Sequence, residues 1–136
     1  EYTINIDCDV LQADGGTRTA SITGGYVAMV SAVTKLKHLG LLDPTEIFTP
    51  IAATSIGIFE EEILVDLCYE EDSVADADFN IVMASDGKIV EIQGAAEGSR
   101  YSVESVHGVL DAARKTLPIL FDEQKKAISN IDLLEK

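Results

Sequence analysis

The sequence predicts an α+β domain in which two helices pack on one face of a largely antiparallel sheet. Three patterns predict it: one alternating stretch followed by several short apolar runs, two stretches with apolar residues at helical spacing, and an Asp-Gly pair between two of the apolar runs. In chain order the elements are β-α-β-β-β-β-α. The length of 136 residues and the 46% content of hydrophobic residues suit one domain, which we expect to span residues 1–136.

The first predicted strand covers residues 2–12, where every second residue is apolar: Tyr2, Ile4, Ile6, Cys8 and Val10. Because this pattern starts at the beginning of the chain, we expect the first part of the fold to be missing. A turn at residues 12–18 then leads into a helix that should end near Leu39, before Gly40, with a loop at Asp43-Pro44. The buried face of this helix would carry Ile22, Tyr26, Val30, Val33 and Leu36.

Four short strands follow, at residues 51–58, 63–68, 79–84 and 88–93. Glu60-Glu61-Glu62 joins the first two, and an acidic stretch from Glu70 to Asp78 precedes the third. Asp86-Gly87 predicts a type I′ hairpin between the last two strands, and residues 94–98 form a loop of small residues.

The last helix should begin after Ser102, a residue type that caps helices, and continue to about Asn130. Pro118 is expected to kink or divide it. Its buried face would carry Val103, Val106, Leu110 and Ala113.

Composition limits the partners of this chain. The net charge is −14 and the chain contains three arginines, so the chain alone is a poor RNA binder unless another chain or segment supplies positive charge. No apolar run approaches the roughly 20 residues that span a bilayer, so we expect no membrane partner. Cys8 and Cys68 match no metal spacing, and we expect both to be buried thiols in a reduced, cytoplasmic setting.

The turn Gly15-Gly16-Thr17-Arg18 has the features of an anion site. Glycine allows close backbone approach, the first helical N–H groups are free to donate, and Arg18 offers a planar fork suited to phosphate oxygens. Asp9 and Asp14 oppose this interpretation unless they point away from the turn. An ordinary turn with Thr17 as a helix cap is the alternative, and the residues alone favour it.

The acidic stretch is either a solvated surface or a cation site. Asp78 adjoins the apolar run 79–84, where an unpaired carboxylate is costly, and Asp76 shares its face if the strand starts early. Magnesium ions prefer one or two carboxylates together with substrate phosphate oxygens.

Taken together, these segments resemble ribonuclease PH. The resemblance rests on ordered, ungapped blocks that cover nearly the whole chain and thin out after Arg114: IDCDVLQADGGTRTA at 6–20, DLCYEEDS at 66–73, ADADFN at 75–80 and VEIQGAAEG at 90–98.

The resemblance implies a ribosomal protein S5 domain 2-like fold and a hexameric ring of dimers. It implies a phosphorolytic 3′→5′ exoribonuclease that trims tRNA precursors, with inorganic phosphate as co-substrate and Mg²⁺ as cofactor. Gly16, Thr17 and Arg18 would bind the phosphate, and Asp72 and Asp78 would be the catalytic, metal-associated carboxylates. The sequence does not decide which of the two aspartates is a metal ligand and which a general acid.

The family also has an N-terminal half with basic RNA-binding residues and a further phosphate-site arginine, which this chain does not contain. That half, in the same protein or as a separate chain, is therefore an expected partner, and we expect the 136 residues alone to be inactive. The alternatives are a non-catalytic ring subunit of an exosome-like assembly and a polynucleotide phosphorylase-type domain. His38 and His107 are expected to be ordinary surface histidines.

Overall fold

The computed structural model describes residues 3–43, 48–97 and 99–134, with side chains described as far as Asn130. Tyr2, Pro44 and Gly98, on which parts of the predicted strand and loops fell, lie outside the described residues. The elements are α1 (Thr17–His38), β1 (Ile51–Phe59), β2 (Glu62–Val65), α2 (Tyr69–Asp72), β3 (Ala77–Ala84), β4 (Ile89–Ala96) and α3 (Val103–Leu134). The four strands form one antiparallel sheet in the order β2-β1-β3-β4, and the predicted α+β class is confirmed.

The hydrophobic core lies between one face of the sheet and α3. It is built from alternate residues of β1 and β3 and from one stripe of the helix: Ala52, Ile56, Ile58, Ala77, Phe79, Ile81, Met83, Val109, Ala113 and Leu117. The predicted helix stripe was partly wrong, since Val103 is 68% exposed while Val109 and Leu117 are fully buried. The helical spacing of the buried residues was therefore predicted correctly, but the residue assigned to the buried face in the first turn of α3 was not.

The predicted first strand is not formed in residues 3–12, which have no regular secondary structure. A strand requires a neighbouring backbone for its ladder of hydrogen bonds, and none of the four described strands pairs with this segment. Its side chains remain exposed, with Leu11 at 93%, and residues 6–12 line a groove of about 420 Å³ against α1. Alternation predicted an amphipathic extended segment, but alternation alone cannot supply a partner strand.

The type I′ turn occurs between β1 and β2, not at Asp86-Gly87 where the sequence predicted it. Glu60 and Glu61 both have positive φ, at 47° and 70°, and form the two-residue loop that joins β1 to β2, as a type I′ turn requires. Asp86 does not have a positive φ; only Gly87 does, at 84°. The Ala84 N–H donates to the Lys88 carbonyl at 2.8 Å and so encloses three loop residues rather than two, which removes the need for a left-handed Asp86 and makes the type I′ prediction wrong.

Both long helices largely follow prediction. The end of α1 is confirmed, because Gly40 has φ of 69° and Leu41 N–H returns to the Leu36 carbonyl. At the start of α3, Ser102 Oγ accepts the Ser105 N–H at 3.0 Å. Pro118 does not divide α3, which is continuous to Leu134. Pro118 itself is exposed while its neighbour Leu117 is buried, so core packing holds the helix across the missing hydrogen bond.

Helix α1 differs from the predicted layer because it lies along the open edge of β1, beyond the end of the short β2. Thr23 Oγ1 donates to the Ala53 carbonyl at 3.2 Å and accepts the Ala53 N–H at 3.0 Å. Gln124 of α3 donates to the carbonyls of Thr23 and Ile51, both at 2.9 Å. Helix side chains thus satisfy backbone groups that a further strand would otherwise bind.

We expect Thr23→Val to destabilise the fold by about 1–3 kcal/mol, because it leaves two buried backbone groups of Ala53 unpaired while keeping the side-chain shape. Thr34→Val on the same helix is the matched control, since no side-chain hydrogen bond of Thr34 is described. Urea unfolding measures both variants, and equal stability of the two would show that the edge contact contributes nothing.

Candidate functional site

The turn Gly15-Gly16-Thr17-Arg18, called the glycine turn below, places free backbone donors at the start of α1. Gly16 is the N-cap, with a left-handed φ of 70°, and no side chain caps the helix there. Thr17 is the first helical residue, so the interpretation of Thr17 as a simple cap is wrong. The first turn contains no acidic residue, and the first N–H to bond within the helix is that of Ala20. The helix start therefore has the donors and the dipole that favour an anion.

The turn is packed directly against the beginning of the acidic stretch. A Cβ on Gly15 would collide with the Leu67 carbonyl, so only glycine fits there. Asp14 Oδ1 accepts the Gly15 N–H at 2.9 Å and the Tyr69 N–H at 2.6 Å. These contacts turn the Asp14 carboxylate towards the start of α2. The electrostatic repulsion between this carboxylate and an anion at the start of α1 is thereby reduced.

Arg18 is held by a partner that the sequence did not suggest. Its Nη2 donates to Glu91 Oε1 at 2.7 Å, and the two side chains are 54% and 40% exposed. Glu91 lies on β4, 73 residues further along the chain. The pair therefore reaches from the helix start across the sheet to its edge strand.

The pair lies on the sheet face opposite α3. Register pairs Glu91 with Val82 and Val82 with Ala53, all three on the face that the core residues do not use. On the same face, Asp78 pairs with Ala95, and Asn80 pairs with Gln93. This polar face, defined as Asp78, Asn80, Glu91 and Gln93, lies beside the start of α1. The alternation in Val90-Glu91-Ile92-Gln93 is the signal that identifies the two β4 residues.

The acidic stretch separates into residues with different roles. Asp76, which we grouped with Asp78, is structural: its carboxylate accepts the Glu60 N–H at 3.0 Å and the Ser99 hydroxyl at 3.2 Å. Asp78 is half-buried on β3, and Asp72 is exposed at the last position of α2. For these two carboxylates no hydrogen bond or ion pair is described, so both are free to accept a ligand.

Packing therefore joins the glycine turn to the acidic stretch, although no described contact links Arg18 to Asp72 or Asp78. No group of three ligating side chains that could hold a metal ion is found in the described part of the chain. Neither Arg18 nor the two aspartates line any of the five cavities described for that part of the chain. None of these cavities therefore joins the three groups.

The two histidines lie away from the polar face. His38 and His107 are exposed on α1 and α3. The prediction that both cysteines are buried was wrong: Cys8 is exposed and Cys68 half-buried. Cys8 lies in the unpaired segment, and Cys68 lies at the start of α2.

Comparison with known proteins decides the family. A sequence profile described as "3' exoribonuclease family, domain 2" matches residues 49–116. A ribonuclease PH from Corynebacterium kroppenstedtii is 50% identical over 129 residues, which is 95% of this chain and 51% of that protein. The chain belongs to the ribonuclease PH family of 3′ exoribonucleases. It spans about half the length of this curated relative.

Solved structures agree on the fold of this family member. A chain of the Archaeoglobus fulgidus exosome, solved with RNA bound to its active site, superposes with a TM-score of 0.63 at 20% identity and covers 83% of this chain and 45% of that one. Rice (Oryza sativa) Rrp46 superposes with a TM-score of 0.61 at 16% identity, covering 85% and 49%. At these identities the likeness shows the fold alone, which confirms the predicted S5 domain 2-like, ribonuclease PH-type architecture.

No helix among the described residues is long and apolar enough to cross a membrane.

We expect Gly15→Ala to destabilise the protein by about 1–3 kcal/mol, because the added methyl group meets the Leu67 carbonyl and separates the turn from α2. Gly24→Ala is the matched control. Nothing lies within 4 Å of its added Cβ, and alanine is the better helix former by about 1 kcal/mol. Thermal unfolding should move in opposite directions for the two variants; an unchanged Gly15→Ala would show that the two segments are not tightly joined.

Proposed function

We propose that this chain forms part of a phosphorolytic 3′→5′ exoribonuclease that uses inorganic phosphate to remove 3′-terminal nucleotides of tRNA precursors. The observation that carries the proposal is the junction of the glycine turn with the acidic stretch, made by Gly15 and by the Asp14–Tyr69 contact at 2.6 Å. Membership of the ribonuclease PH family supports the same reaction class.

Inorganic phosphate would bind at the start of α1. The N–H groups of the Gly16–Thr17 turn donate to its oxygens, and the Thr17 hydroxyl is available because its described bond to the Asp14 carbonyl is long, at 3.4 Å. The Arg18 guanidinium adds a charged donor. Glu91 contacts one of the terminal nitrogens of Arg18, so other N–H groups of the fork remain for phosphate.

The bound phosphate then attacks the phosphorus of the last phosphodiester in line. A new bond forms between the phosphate oxygen and that phosphorus, while the bond from phosphorus to the 3′ oxygen of the preceding nucleotide breaks. The 3′ oxygen accepts a proton, and a nucleoside diphosphate is released. The contributions of the protein are positioning and stabilisation of the charge that develops in the transition state.

The donor chemistry of Asp72 and Asp78 suits Mg²⁺. Both carboxylates lack a described partner, and an ion that takes one or two carboxylates completes its shell with substrate phosphate oxygens rather than with a protein cage. Bound there, Mg²⁺ would offset negative charge at the reacting phosphorus. Either aspartate could instead supply the proton to the leaving oxygen, because a protonated carboxyl group can act as a general acid.

The charge of the chain supports a partner for RNA binding. With a net charge of −14, this chain provides little attraction for a polyanion. We therefore propose that an N-terminal half, in the same protein or as a companion chain, supplies the basic RNA surface and closes the pocket over Arg18. Assembly into a hexameric ring and a cytoplasmic location belong to the same proposal.

Arg18→Ala should raise the KM for inorganic phosphate by about ten- to a hundredfold, because it removes charged hydrogen bonds worth roughly 1.5–3 kcal/mol. The measurement is release of nucleoside diphosphate from a short RNA across a series of phosphate concentrations, in the assembly with the N-terminal half. Arg100→Ala is the control, since it removes the same charge at an exposed residue that lines a cavity in which Arg18 takes no part. A phosphate KM unchanged in Arg18→Ala would remove Arg18 from the phosphate site.

Asp78→Asn should lower Mg²⁺-dependent turnover by about a hundredfold or more, while stability changes by less than about 0.5 kcal/mol. Stability is preserved because the Asp78 carboxylate makes no contact that the structure describes. Asp86→Asn, in the exposed β3–β4 turn, controls for the loss of one negative charge. Full turnover in a folded Asp78→Asn protein would instead favour a solvated acidic surface, and a wild-type assembly without phosphorolysis would favour the non-catalytic ring subunit.

A further inference from the structure

The contact between Arg18 and Glu91 has a consequence for phosphate binding, which rests on the proposed function. Arg18 has several rotatable bonds, and its side chain is 54% exposed, so in isolation it would occupy many conformations. The 2.7 Å contact with Glu91 selects the conformations that lie across the sheet. We propose that Glu91 is a positioning residue, which orients the guanidinium of Arg18 for inorganic phosphate.

The geometry favours orientation over neutralisation. The described hydrogen bond joins Arg18 Nη2 to Glu91 Oε1, so the ion pair is monodentate and other N–H groups of the guanidinium remain available. The Glu91 side chain is 40% exposed, and an exposed ion pair is weak, so it does not hold the arginine in one conformation. The contact is strong enough to bias a flexible side chain and weak enough for an arriving anion to share it.

The position of Glu91 on β4 limits where its carboxylate can lie relative to the sheet. Glu91 is paired in register with Val82, which is 3% exposed, and Val82 is paired with Ala53, which is also 3% exposed. The carboxylate is therefore carried by a strand paired within the sheet rather than by a loop, next to the register irregularity between Val82 and Met83. The same face carries Asp78, so Glu91 holds Arg18 over the surface that carries the candidate catalytic carboxylate.

Glu91→Gln separates two effects of opposite sign. If Glu91 merely lowers the positive charge near the phosphate, its removal should strengthen phosphate binding and lower the phosphate KM. If Glu91 orients Arg18, its removal should raise the phosphate KM by about fivefold, which corresponds to about 1 kcal/mol, and kcat should change by less than about twofold. Glu91→Asp keeps a carboxylate and should restore part of the affinity.

The experiment uses the assembly with the N-terminal half. It measures phosphate KM and kcat for the wild type, Glu91→Gln, Glu91→Asp, and the control Glu62→Gln, which removes the same charge from an exposed strand residue at the other side of the sheet. The same substitution is repeated in an Arg18→Lys background. There Glu91→Gln should have less than about a twofold effect, because lysine cannot present the guanidinium fork that Glu91 orients. A phosphate KM in Glu91→Gln that is unchanged or lower overturns the inference, as does an equal increase in the Arg18→Lys background.

A second measurement separates this inference from the proposed reaction. Inorganic phosphate should raise the midpoint of thermal unfolding of the wild type, and the rise should be smaller in Glu91→Gln. If the wild type shows that rise but no phosphorolysis, the reaction is wrong and the positioning role of Glu91 is still tested by the difference in the rise. Equal rises in the two proteins overturn the positioning role. Absence of both stabilisation and phosphorolysis in the wild type overturns the phosphate site and this inference together.

Discussion

The close approach of the glycine turn to the start of α2 is the constraint on which the site depends. Gly15 leaves no room for a side chain beside the Leu67 carbonyl, and Asp14 bonds the Tyr69 N–H at 2.6 Å. Two segments more than 50 residues apart in sequence are thereby held as one unit. Without that unit, the donors at the helix start and the carboxylates of the acidic stretch would be parts of separate loops.

Strand β1 transmits this constraint to the rest of the molecule. It is buried over Ala52–Ile58, with the α3 core on one face and the turn, Leu67 and Ala75 over the other. Its free edge is closed by side chains of α1 and α3 rather than by a strand. The direction of α1, and with it the position of Gly16 and Arg18, is consequently set by contacts with the least exposed strand of the fold.

The sequence predicted most of the elements because their signals are local. Helical periodicity predicted α1 and α3, and the short apolar runs of β1 and β3 together with the hairpin signal at Asp86-Gly87 predicted the sheet. The strand at residues 2–12 was predicted wrongly because pairing depends on a partner that no local pattern reveals. The turn at Asp86-Gly87 was mistaken in type because one additional loop residue changes which positions need positive φ.

The candidate site was predictable in its residue types but not in its contacts. Gly16, Thr17 and Arg18 stand together in sequence, so their shared location follows from the turn. Glu91, in contrast, is 73 residues from Arg18, and their contact depends on strand order and register. The structural role of Asp76 depends in the same way on the neighbouring β1–β2 turn, which no spacing rule connects to it.

The charge distribution would give the proposed anion site an unusual response to ionic strength. The attraction at the start of α1 would come from short hydrogen bonds and one guanidinium, whereas the opposing field comes from a net charge of −14. Dissolved ions weaken interactions beyond about 10 Å at 0.1 M much more than they weaken direct contacts. Moderate salt should therefore reduce the long-range repulsion of an approaching anion more than it reduces the local attraction, the reverse of what is usual for a basic phosphate-binding surface.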